Sequence, residues 1–197
     1  MFRELSFRNL NLERYQEMNN NVNSNYHIKG IGLLLNEDCI LQRYFPLIQY
    51  KDQLLNNLLD KGCITKNACF ILSDKALIEA GLPDSDMVEL FRRFLCLYDY
   101  KGKGIKDIPD AECRTKDEIS SLMELMRLPG VKAIRAELYF HCGIRSLSDL
   151  AASDAVQLRD AIANIIMQES LPFSPPLPKE LRTQIAVAKV FTEYAVK

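Results

Sequence analysis

A chain of 197 residues that is 48% hydrophobic and 26% charged carries enough apolar material for one large or two small packed domains, which excludes intrinsic disorder. Its formal charge of −1 and pI of about 6.2 lack the basic excess of a dedicated nucleic-acid-binding domain. Apolar runs such as Ile31–Leu35 are too short to span a bilayer, and the opening residues hold no apolar stretch of signal-peptide length. In chain order, residues 1–18 read as a charged helix with Phe2, Leu5, Leu12 and Tyr15 inward, and Asn19–Asn25 as a linker. His27–Leu35, with Gly30 and Gly32, reads as a short strand or an irregular loop. Asp38–Leu59 is helical in pattern but holds Pro46, whose missing N–H and bulky ring kink or split a helix.

The clearest helix covers Asp84–Tyr98. Met87, Val88, Phe91, Phe94, Leu95 and Tyr98 form an apolar stripe, and Asp84 or Ser85 caps the first turn. Lys101–Pro109 holds two glycines and a proline without a long stripe, so the chain divides near residue 110 into an N-terminal region, 1–110, and a C-terminal region, 111–197. Thr115 and Glu118 have the spacing of a capping box. Ser153 and Asp154 open a further helix with Leu158, Ala161, Ile162, Ile165 and Ile166 on its inner face. The prolines of Leu171–Pro178 favour an extended segment, and Pro178 suits the first position of a last helix reaching Tyr194. That helix is apolar on nearly all sides, so it is expected to be buried in this chain or against a copy of it.

Residues 125–152 carry the most information. A helix ends at Leu128, Pro129-Gly130 makes a tight turn, and a second helix begins near Val131. Ala136 is small enough for two helices to cross closely, Gly143 suits the end of the second helix, and Ser146 caps a short third one. This run resembles the helix-hairpin-helix family, whose pattern is apolar, Pro, Gly, apolar, Gly, three variable residues and Ala. Leu128, Pro129, Gly130, Val131 and Ala136 match, and the resemblance extends over about 125–166 through Cys142-Gly143-Ile144 and Leu147-Ser148-Asp149-Leu150-Ala151. In that family the hairpin offers main-chain amides to a nucleic-acid phosphate, where the positive end of the helix dipole adds attraction. By position, the resemblance implies contact groups at the amides of Gly130, Val131 and Lys132, with Arg127, Lys132 and Arg135 adding charge. Lys132 stands where the family has its second glycine, and a side chain there obstructs close approach or substitutes its own charge. Arg127 to Ile166 holds five basic residues against four acidic ones, a weak electrostatic footprint.

Residues 58–95 resemble, more faintly, the second half of a sterile-alpha-motif domain, in Leu72-Ser73-Asp74-Lys75-Ala76-Leu77, Ala80-Gly81-Leu82 and the helix after them. That resemblance implies protein binding or self-association. The two halves also echo one another: Gly62 followed by Leu72-Ser73-Asp74 parallels Gly143 followed by Leu147-Ser148-Asp149.

The six cysteines contain no C-x-x-C pair, so metal-ligand spacing is missing, and the thiols are expected to be reduced and mostly buried as small hydrophobes. His141 adjoins Cys142, but adjacent helical residues do not face one another, and no phosphate loop accompanies Gly102 and Gly104. These readings predict an all-α bundle of helix-hairpin-helix-like and sterile-alpha-motif-like units. They assign it no catalytic residue, cofactor, metal or membrane contact, and a cytoplasmic location. Its expected partner is another protein or a second copy of itself, a homodimer through the last or the N-terminal helix. Sequence-independent nucleic-acid contact at the Gly130 hairpin is the alternative.

Overall fold

The computed structural model describes residues 25–99 and 107–196. Among the described residues the protein is all-α, with ten α-helices: α1 (Lys29–Leu34), α2 (Lys51–Asp60), α3 (Lys66–Phe70), α4 (Asp74–Glu79), α5 (Ser85–Leu95), α6 (Lys116–Leu125), α7 (Ala133–His141), α8 (Leu147–Ala152), α9 (Ala155–Gln168) and α10 (Pro178–Glu193). Extended pairing is limited, among these residues, to two isolated antiparallel bridges, Tyr26 with Ala195 and His27 with Thr65. The helix expected over residues 1–18 and most of the linker after it lie outside the described residues, as does most of the stretch before Pro109 where the chain was expected to divide.

Local chemistry explains most helix starts. Thr65, Ser73, Asp84, Ser146 and Asp154 each accept, through a side-chain oxygen, an amide of the helix that follows. Thr115 accepts from the Glu118 amide while the Glu118 carboxylate accepts from the Thr115 amide, the reciprocal box expected from the sequence. Pro178 opens α10 at its first turn. Pro46 lies inside a 3₁₀ segment, Gln42–Tyr50, that runs into α2, so the proline replaces one long helix by two different ones.

The strand or loop expected at His27–Leu35 is a correction: Lys29–Leu34 is helical. Its glycines serve close packing rather than a turn. A Cβ on Gly30 would lie 2.9 Å from the Tyr26 ring and 3.0 Å from a Val190 methyl, and one on Gly32 would lie 3.1 Å from Leu55.

α10 organises the core. It packs against α1 on one side and against α8 and α9 on the other, burying Leu181, Gln184, Ile185, Ala186, Val187, Ala188 and Val190. One continuous apolar cluster therefore runs from Tyr26 to Val190 and draws on both sides of residue 110. The expectation that α10 is buried in this chain or against a copy resolves to the first option, with these side chains covered by the chain's own helices. The Cys39 carbonyl gathers two distant elements: Tyr98 Oη, just beyond α5, donates to it at 3.3 Å, and Thr183 of α10 donates to it as well. α7 packs on α6 and α9, and a buried hydrogen bond from the Tyr139 hydroxyl to the Gln184 side chain joins it to α10.

Candidate functional site

The Gly130 turn connects α6 to α7 and sits at the surface. Gly130 has φ +81°, a left-handed conformation that L side chains avoid, and a Cβ there would meet nothing within 4 Å. Gly130 is therefore required by the backbone, not by crowding. Leu128 and Val131 flank it with buried side chains, and the Val131 amide donates to the Leu128 carbonyl at 3.1 Å. The hydrogen bond closes the turn and removes Val131 from the amides available to a ligand.

The next residues behave differently. Lys132 is the N-cap of α7, in extended conformation, and its side chain makes no cap hydrogen bond. The amides of Lys132, Ala133, Ile134 and Arg135 find no acceptor among the described residues. Three of these residues, Lys132, Ile134 and Arg135, line a cleft of about 420 Å³ together with Gly130 and Leu138, and Pro172, Phe173 and Ser174 complete its lining. The second wall is the proline-containing segment before α10, held in place by the Arg159 Nε, which donates to the Pro176 carbonyl at 3.3 Å, and by the Leu171 amide, which donates to the Ile166 carbonyl at 3.0 Å.

Of the residues marked in the sequence, Gly130, Lys132 and Arg135 line this cleft, whereas Val131 points into the core and Arg127 is half-buried outside the lining. Arg135 is engaged: its guanidinium lies 3.4 Å from the Glu180 carboxylate, one turn along α10 from Gln184. Lys132 is exposed and is the basic side chain most open to a ligand. Apolar surface supplies the rest, with Ile134 47% and Phe173 39% exposed. The arrangement can hold a carboxylate or phosphate against the amides and Lys132, and an apolar side chain between Ile134 and Phe173. Sequence reading missed the Pro172–Ser174 wall, which is placed by the hydrogen bonds of its segment to Arg159 and Ile166 of α9.

Elsewhere the described residues offer little for chemistry. No group of three His, Cys, Asp or Glu side chains among them is placed to hold a metal ion. His141 is exposed, and burial pushes the neighbouring Cys142 thiol up, opposite to the shift that activates a nucleophile. Lys66 is fully buried, paired with Asp99 and 6.0 Å from the centre of the Tyr26 ring, an arrangement that satisfies its charge. Among the described residues no helix is long and apolar enough to cross a membrane. No family model matches the chain, and neither a curated protein nor a solved structure is similar to it.

Proposed function

We propose that this protein acts by binding rather than catalysis, and that the cleft at the start of α7 grips a segment of a partner protein carrying an acidic residue next to an apolar one. One observation carries the reading: an exposed Lys132, the apolar pair Ile134 and Phe173, and residues of the first helical turn whose amides lack acceptors line one cleft. An anion gains hydrogen bonds and the helix dipole, worth roughly 0.3–1 kcal/mol at an exposed helix end, and apolar contact adds about 25 cal/mol per Å² buried. The reading follows the helix-hairpin-helix resemblance in placing contact at the Gly130 turn, and the sterile-alpha-motif resemblance in the class of partner. Capture by the immobilised chain, with and without nuclease, tests it. The expected result is a protein retained after nuclease by the wild type and lost from Ile134→Glu. The same set of captured proteins on both baits overturns it.

A second reading, sequence-independent binding of nucleic acid, is favoured by the open space over Gly130 and the amides beside it, which suit a phosphate. It predicts retardation of a random duplex that weakens as salt rises and is abolished by Lys132→Glu. Arg135 is left intact in that variant because its reversal would set like charges together at Glu180.

A further inference from the structure

All six cysteines are free, and two of them meet. Cys63 follows Gly62 at the end of α2, and Cys69 lies in α3. Their sulfurs are 3.1 Å apart, within hydrogen-bond contact, and both side chains are buried. The two ends of the pair differ. Cys69 is fully sealed, whereas Cys63 is 6% exposed and sits between the exposed Gly62 and Ile64. The backbone already fixes both: the Cys63 amide donates to the Leu58 carbonyl at 2.9 Å, and the Cys69 amide donates to the Thr65 carbonyl at 3.0 Å. A disulfide spans roughly 2.05 Å, so the two sulfurs stand about 1 Å beyond bonding distance.

The geometry points to Cys63 and Cys69 as a dithiol–disulfide couple, a modification site that closes the corner between α2 and α3 when the oxidant is a disulfide such as oxidised glutathione. The thiolate of Cys63, the residue nearer solvent, attacks one sulfur of glutathione disulfide and releases one glutathione as its thiolate. Cys69 then loses its proton and attacks the Cys63 sulfur of the mixed disulfide, expelling the second glutathione. The two cysteines give up two electrons and two protons, and one glutathione disulfide becomes two glutathiones. Burial raises both thiols above the usual cysteine range, so the exchange is slow in the closed structure and passes through opening of the Gly62 corner. Ile64 and Thr65, between the two cysteines, also line a second cleft of about 500 Å³ shared with His27 and Tyr194, so the bond would fasten one wall of it.

The full chain, equilibrated in glutathione buffers of increasing oxidised fraction and then alkylated, tests this. The digest is informative because trypsin cuts after Lys61, Lys66 and Lys75. The expected product joins the peptides Gly62–Lys66 and Asn67–Lys75 and is lighter by two hydrogens than the pair with free thiols. It forms in chains that keep their helical circular dichroism, and equally in a Cys113→Ser background, which removes the one exposed cysteine as a source of chain-to-chain disulfides. Cys69→Ser is expected to stop at a glutathione adduct on Cys63, and Cys63→Ser to leave Cys69 unmodified. Absence of the joined peptide from the folded wild type at the most oxidising equilibrium overturns the proposal. Glutathione on Cys69 of Cys63→Ser overturns the assigned order of attack.

Discussion

The two ends of α7 solve the same problem in opposite ways. At its C-terminus the chain turns through Gly143 with φ +85°, and the Gly143 and Ile144 amides return to the Phe140 and Tyr139 carbonyls at 3.0 Å each. Three residues after the glycine, Ser146 caps α8, while the Asp149 carboxylate takes the Arg145 amide at 2.9 Å. Little of that main chain is left for a partner. At the N-terminus the glycine conformation is nearly the same, φ +81° at Gly130, but Lys132 follows it where a capping side chain could stand, and the first-turn amides stay open. A tight glycine turn is therefore compatible with either a sealed joint or a binding surface, and the residue at the next N-cap decides which.

The comparison can be broken at each of its parts. Valine at either glycine places a β-branched residue in the left-handed region. Gly143→Val and Gly130→Val should each lose about 1–2 kcal/mol in denaturant unfolding. Only the second should also weaken capture of the partner, and equal binding by the two variants would separate the surface from the Gly130 turn. Ser146→Ala removes a cap and should cost about 1 kcal/mol, read in the same unfolding experiment, with binding unchanged. Lys132→Asp runs the other way. Its backbone already has the extended conformation of an N-cap, so the new carboxylate should satisfy an open amide and raise stability by about 0.5–1 kcal/mol, while occupying the place of an anionic ligand and reducing its binding. A variant that is no more stable, or that binds as well as the wild type, would show those amides to be unused. The smallest effect concerns acid. The Arg145 amide and the Ser146 hydroxyl hold the Asp149 carboxyl below the usual range. A carboxyl lowered in the folded state contributes stability above its unfolded pKa and loses it as pH falls through the folded one. The sealed end should therefore loosen slightly below the ordinary carboxylate range. Carboxyl NMR titration of the wild type against Asp149→Asn measures it.

Elements governed by neighbouring residues were legible in the sequence. Asp84, Thr115 with Glu118, Asp154 and Pro178 act within a turn of their own positions, and the helices begin where those residues indicate. Gly30 misled because its reason is packing, against the Tyr26 ring and against Val190 of α10, 160 residues away, which together leave no room for a side chain. The echo between the halves was partly legible. Gly62, Gly81 and Gly143 each precede a capping residue by three positions, at Thr65, Asp84 and Ser146. The Leu-Ser-Asp strings are not equivalent, however: Ser73 is a cap, whereas Leu147, Ser148 and Asp149 all lie inside α8. At the candidate site the turn was legible and the opposite wall was not, since Phe173 joins the lining of the cleft through the folding of its segment back on α9, which no local pattern announces.

The position of α10 has a consequence for biosynthesis. Residues 178–193 leave the ribosome after every other described helix, yet α1 on one flank and α8 and α9 on the other both use them as a common partner. Until that segment emerges, the nascent chain displays the sticky inner surfaces of two unfinished halves. The protein is therefore most exposed to chaperones and to misassociation just before translation passes this point, and a product ending ahead of Pro178 would carry that exposure permanently.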